Sequence, residues 1–271
     1  MRLARDQAAA RGSGGHTGVK GARGWTVTLI VLVGVVVLWE IAERLVAARF
    51  PLVPAPSAIG GAIVRFATPI WLNLRLTLIE SALGLVSGSL LGLAVAAVFV
   101  RWPRLERSLY NLIVTIHSIP LVAVAPILLI WFGVGITAPT IVAGLACFFP
   151  MAVNATRGLR AASASSLDLM RALDASQIQT FLRVRGPASL PYVMAALKLG
   201  APAAVLGATV GEWLGTAGVG YLLFSAMVNF QVELLWATMV IATGVALAGY
   251  LLFSVAERVL VAWGPSARGE T

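Results

Sequence analysis

Glu80, His117, Asn154 and Glu212 are polar or ionisable side chains set in long apolar stretches, accompanied by Asn73 and Asn111. Such groups are expensive inside a bilayer and normally face a bundle interior or an aqueous cavity, where they gate a pathway or carry ions. These four are therefore the pathway candidates. Glu212 reads either as a gate residue near the outer end of a helix or as an acid at the membrane interface. Glu80 stands five residues after Arg75, a spacing that does not set the two squarely on one helix face. His117 reads as a hydrogen-bonded core histidine or as a ligand. No acid pair, nucleophile with a base, or metal cluster occurs at a usable spacing, so catalytic and metal roles are both assigned to no residue. His16 and His117 are far apart, and Cys147 is the single cysteine, which excludes an intramolecular disulfide.

The elements that must position these residues follow from where charge is missing. Of the 271 residues 59% are apolar and 11% charged, against about 25% charged in ordinary globular domains. With a mean hydropathy of +0.91, an all-α polytopic membrane protein is the class that fits. A crossing helix needs about 20 apolar residues. Residues 108–156 form a 49-residue run without Asp, Glu, Lys or Arg, long enough for two crossings around the breaker-rich turn Phe132-Gly133-Val134-Gly135-Ile136-Thr137-Ala138-Pro139. Residues 81–100 supply one helix, begun near Trp71, and residues 234–256 another. Residues 25–47 supply a first helix whose far end carries Glu40 and Arg44, four apart and able to pair. This segment is long and lacks a small-residue cleavage site after it, so it reads as a retained helix and not a cleaved leader. Pro191 to about Trp213 completes six transmembrane helices, with 1–24 a disordered tail, 25–258 the membrane domain and 259–271 a second tail. Gly84, Gly88 and Gly92 recur at every fourth position, a spacing that allows close helix contact.

Fifteen of the 20 bases fall on one side of this arrangement. Cytoplasmic loops are enriched in Lys and Arg, so both termini are expected to be cytoplasmic. The net charge of +9 is then a topology signal, and its spread over separate loops argues against nucleic acid as a partner.

One long connection, residues 157–190, lies on the basic side. Ser165 with Asp168, and Ser176 with Gln179, have capping-box spacing, which predicts two short helices with a break at Asp174-Ala175-Ser176 and a stop at Gly186-Pro187. Ile178, Phe181, Leu182 and Val184 form an apolar stripe too short to span a membrane. Such a helix wants a partner groove or lies on lipid headgroups.

Asp168-Leu-Met-Arg171-Ala-Leu173-Asp174-Ala175-Ser176-Gln-Ile-Gln-Thr-Phe181-Leu-Arg-Val184-Arg-Gly-Pro187-Ala-Ser-Leu-Pro191 resembles the cytoplasmic EAA loop of binding-protein-dependent ABC importer permeases. Leu52-Val53-Pro54-Ala55-Pro56-Ser57, Ile119-Pro120 through Ala125-Pro126 to Trp131-Phe132-Gly133-Val134-Gly135, Phe148-Phe149-Pro150 and Gly211-Glu212-Trp213-Leu214 with Gly218-Val219-Gly220-Tyr221 are similar to the nitrate, sulfonate and taurine branch, which includes permeases for thiamine-pyrimidine precursors. The chain departs from the pattern with Asp168-Leu169-Met170 in place of Glu-Ala-Ala and Asp174 in place of Gly; Asp tolerates left-handed backbone better than most residues. The resemblance implies a type I ABC importer transmembrane fold with its core at about 71–257, in the bacterial plasma membrane. It implies that Asp168, Arg171, Leu173, Asp174, Ala175, Ser176, Phe181, Val184, Pro187 and Pro191 couple the chain to a separate ATPase. That partner would hold ATP and Mg, since no Walker-type glycine loop occurs here. A second permease copy, as a homodimer, and an extracytoplasmic solute-binding protein are the other implied partners, the latter meeting residues 214–235, where a re-entrant or surface helix is expected. An ion-coupled secondary transporter or channel using Glu80, His117 or Glu212 is the alternative.

Overall fold

The computed structural model describes residues 19–46 and 53–261, and these are helical almost throughout. In chain order the helices are α1 (Val19–Val46), α2 (Pro56–Arg65), α3 (Ala67–Arg101), α4 (Pro103–His117), α5 (Leu121–Phe132), α6 (Thr137–Arg160), α7 (Ala164–Ala172), α8 (Gln177–Thr180), a π-helical turn (Phe181–Arg185), α9 (Gly186–Glu212), α10 (Val219–Val228) and α11 (Val232–Leu260). The tails expected at 1–24 and 259–271 fall largely outside the described residues. The helix they flank begins at Val19, six residues before the apolar run opens at Trp25.

The chain divides into two compact units, Met1–Gly60 and Gly61–Thr271. In the first, α1 has 28 residues, about 42 Å at 1.5 Å per residue. Arg44 Nη2 donates to Glu40 Oε1 at 2.6 Å, the expected pair. The same carboxylate accepts from the Ser57 amide at 3.0 Å and from Ser57 Oγ at 2.7 Å. Pro56 opens α2 where a missing N–H is harmless, and Glu40 satisfies the free amide that follows it.

The second unit is built around α6, clasped between α3 and α9. Small residues set the spacing. A methyl on Gly84 would strike Ala143, one on Gly88 the carbonyl of Gly144, and one on Gly92 the Phe148 carbonyl at 2.7 Å. The other flank of α6 is as tight: a Cβ on Gly207 would lie 2.8 Å from the Ala143 Cα, and one on Gly158 would lie 2.9 Å from the Ser189 Cα. The every-fourth-residue glycines are thus a packing seam, as their spacing implies. These contacts run α3 parallel to α6 and α9 antiparallel to both. On the far flank of α9, Lys198 Nζ donates to Glu257 Oε2 of α11 at 2.5 Å.

Among the described residues, four helical runs are long and apolar enough to cross a membrane: α3, α6, residues 177–212 and α11. The crossing expected between 108 and 132 is not one helix. It is broken at Ser118-Ile119-Pro120 into α4 and α5, because Pro120 lacks the amide a helix needs and disfavours helical geometry at Ile119. The fifth crossing is longer than expected. Gly186-Pro187 does not stop the chain: the Gly186 amide bonds back to the Phe181 carbonyl across the π-turn, and Pro187 falls in the first turn of α9, where its missing N–H is not required.

Candidate functional site

The two ends of the α3–α6–α9 core carry different chemistry. At one end, α9 finishes on Glu212, which is 1% exposed. Thr77 Oγ1 of α3 donates to Glu212 Oε1 at 2.5 Å, and the Gly220 amide donates to Oε2 at 2.6 Å. The Val219 amide donates to Thr77 Oγ1 at 2.9 Å and the Gly218 amide to Asn73 Oδ1 at 2.8 Å. Three successive free amides at the start of α10 are therefore held by α3 and α9 side chains. This is how the sequence seats α10, a short helix within 214–235, where a re-entrant or surface helix is expected. Gly218 has φ +102, a conformation L side chains rarely adopt, and a Cβ there would run into the Glu212 carboxyl. Glu212 is thus a buried, fully partnered anchor and not a hydrated interfacial acid.

Glu80, 4% exposed, faces the same carboxyl group one turn along α3 from Thr77. It does not pair with Arg75, which is exposed. Its Oε2 has no hydrogen-bond partner among the described residues and lines an 80 Å³ cavity with Glu212, Pro139, Gly215 and Thr216. Two acids 132 positions apart thus meet, where spacing along the chain offered no acid pair. Thr77, which closes the network, carried no signal beyond its place one turn before Glu80.

At the other end lies the long connection. Helix α7 is capped by Ser163, whose Oγ accepts from the Ser166 amide at 3.2 Å; the expected cap at Ser165 is two residues late. The second capping box is present as expected: the Gln179 amide donates to Ser176 Oγ at 3.2 Å and the Ser176 amide to Gln179 Oε1 at 2.9 Å. Asp174 between them has φ +50, the left-handed geometry that a Gly takes most easily. Asp168 and Arg171 pair at 2.8 Å on the surface. The apolar stripe divides. Phe181 packs against Ala96, Met151, Ala155 and Leu159, and Val184 is half-buried, whereas Ile178 and Leu182 stay 72% and 65% exposed. Leu169 and Leu173 of the preceding turn are exposed beside them in sequence. Of the remaining residues, Ala175 is half-buried, Pro187 is exposed and Pro191 lies inside α9. Arg101, Arg171 and Arg185 line a 670 Å³ hollow with Ile178, Phe181 and Leu182.

The other two candidates belong to neither end group. Asn154 Nδ2 donates to the Pro150 carbonyl one turn back, at 2.8 Å, a local bond within α6. His117 ends α4 and stacks on Phe149 of α6, ring centroids 4.0 Å apart and planes at 6°. It is exposed and not a core histidine.

A glycine-packed bundle of long apolar helices, with an exposed apolar connection at one end and a buried acid anchor at the other, is the architecture of a polytopic membrane protein. The family model described as binding-protein-dependent transport system inner membrane component matches residues 88–263, and the chain belongs to that family of ABC importer permeases. It is 34% identical over 196 residues to the formylaminopyrimidine transport permease of Halalkalibacterium halodurans, covering 72% of this chain and 78% of the relative. It is 26% identical over 252 residues to an aliphatic sulfonates transport permease described as putative in Bacillus subtilis, covering 91% and 90%. The MetNI methionine ABC transporter, solved in inward-facing conformations, shares the fold with a TM-score of 0.60 at 16% identity, over 72% of this chain and 95% of that one. The protein is a multi-pass component of the bacterial plasma membrane with a type I importer fold.

Proposed function

We propose that the chain forms, with a second copy of itself, the pathway of an ATP-driven importer, and that residues 161–185 seat it on a separate ATPase that holds ATP and Mg. The observation that carries this reading is the exposed apolar row Leu169, Leu173, Ile178 and Leu182 around the Asp174 turn. Four large apolar side chains held out by capped helices are a surface built for a groove on a partner. Asp168, Arg171, Asp174 and Ser176 shape that surface, Phe181 and Val184 tie it to the core, and Pro187 and Pro191 mark where it joins α9. Arg101, Arg104, Arg107, Arg160, Arg171, Arg183 and Arg185 sit at this end, which supports placing it, and both termini, in the cytoplasm.

In this reading an extracytoplasmic binding protein delivers a small solute to the α10 end, held by Glu212. ATP binding closes the ATPase pair, their grooves move the connection, and the bundles exchange between two discrete packings. The named relatives support a solute drawn from pyrimidines or small sulfonates. The test is Ile178→Asp with Leu182→Asp, both exposed sites, in chain co-expressed with its ATPase. The expected result is normal membrane insertion with loss of ATPase co-purification and of ATP-driven uptake. Undiminished ATP-driven uptake would sink the coupling assignment, and uptake by the chain alone on an ion gradient would favour a secondary transporter.

A further inference from the structure

The break between α4 and α5 opens a cavity that neither end of the bundle uses. It encloses about 330 Å³ and is lined by Ile113, His117, Ile119, Val124, Leu145 and Phe149, among others. The lining contains no Asp, Glu, Lys or Arg. Its one polar side chain is His117, whose imidazole makes no hydrogen bond among the described residues and lies flat on the Phe149 ring. The wall therefore presents the outer face of a stacked ring pair and a ring nitrogen free to donate or accept.

That chemistry discriminates between solute classes. A nitrate, sulfonate or carboxylate entering this cavity would lose its hydration with no cation or amide cluster to replace it, which is the costly case for a charge. A neutral planar heterocycle meets the opposite fit, with apolar walls for its faces and an imidazole for its polar edge. The volume stands at the low end of ligand pockets, which run from about 300 to 1,000 Å³, so it suits one or two rings.

Resting on the importer reading, we propose that this cavity is a solute subsite that takes a neutral nitrogen heterocycle of one or two rings, stacked on the His117–Phe149 pair and hydrogen-bonded at its edge to His117. The residues lie on helices at the proline break, so a change in the α4–α5 angle opens or closes the slot.

The test uses the full chain assembled with its ATPase in lipid nanodiscs and labelled with 15N-histidine. His16 and His117 are the two histidines, so a His16→Gln variant leaves the His117 signal alone. The probes are formylaminopyrimidine and cytosine, against taurine and nitrate. The heterocycles should move the His117 resonance saturably and the anions should not. Phe149→Leu, which keeps bulk but removes the ring, should weaken the heterocycle about 2- to 12-fold, the range for one aromatic stack, with thermal unfolding unchanged. His117→Gln, read by equilibrium dialysis of radiolabelled cytosine, should bind better than His117→Leu because it keeps a polar edge. Saturable shifts by taurine or nitrate, no shift by either heterocycle, or heterocycle binding indifferent to Phe149→Leu would overturn the proposal. ATP-driven uptake is scored on the same wild-type complex reconstituted in proteoliposomes, and ATPase co-purification on the complex itself. If they hold while the heterocycles leave His117 unmoved, the subsite alone falls; if they fail, the importer reading falls with it.

Discussion

Replacing Glu212 by Ala removes the acceptor for two buried donors, Thr77 Oγ1 and the Gly220 amide. A buried donor left without a partner costs about 1–3 kcal/mol, so the local loss is about 2–6 kcal/mol. Thr77 has a weak fallback in the Asn73 carbonyl at 3.4 Å, so the Gly220 amide carries the larger share. Because that amide opens α10, the damage concentrates at Val219–Val228, with Leu234 and Ala237 of α11, which pack on Leu222 and Ala226, affected less. In hydrogen exchange on the protein in nanodiscs, peptides covering 219–228 should exchange about 30- to 20,000-fold faster, at tenfold per 1.4 kcal/mol. Glu212→Gln behaves differently. Its carbonyl oxygen keeps one of the two acceptors, and its amide NH2 can donate to the neighbouring Glu80 carboxyl. That variant should lose no more than half as much free energy. Unchanged exchange over 219–228 in Glu212→Ala, or equal damage in the two variants, would refute the anchor.

Gly88→Ala forces α3 away from the Gly144 carbonyl and should destabilise by about 1–3 kcal/mol, whereas Gly244→Ala, with nothing within 4 Å of the added methyl, should not; thermal unfolding in detergent compares the two. Asp174 sits at φ +50, so Asp174→Gly should hold or raise stability, and Asp174→Val should lose about 1–2 kcal/mol together with ATPase co-purification. Lys198 and Glu257 are 21% and 14% exposed, so Lys198→Met alone leaves a largely buried acid unpaired. The double variant with Glu257→Gln should unfold at a higher temperature than Lys198→Met alone, and a lower midpoint would contradict the pairing.

Local periodicity was readable where the physics is local. The spacing of Gly84, Gly88 and Gly92 announced close helix contact, and the 176–179 box announced its cap; the left-handed turn at Asp174 was legible only through the Gly that the resembling family carries there. What sequence order hides is pairing across the bundle. Glu80 and Glu212 meet only because α3 and α9 both pack on α6, and no window along the chain contains both. Ser163 out-competed Ser165 as a cap by two residues, a choice set by where the preceding helix ends. Pro120 signalled a break, but the charge-free run around it is as apolar as an unbroken span, so composition masked the kink. At Gly186-Pro187 the breakers were real and the chain absorbed them in a π-turn.

That π-turn sets an angle. From Gln177 to Glu212 the chain is one 36-residue helical run, about 54 Å long at α-helical rise, and the turn inserts one extra residue per hydrogen-bonded ring near its start. One residue is about 100° of rotation. The face that presents Ile178 and Leu182 is therefore offset by about 100° from the phase an unbroken α-helix would give it relative to the face that α9 packs on α6, and Glu212 sits at the opposite end of the same run. One continuous helical backbone thus joins the exposed apolar row at one end of the bundle to the acid that holds α10 at the other, with the phase between them set at Phe181–Arg185.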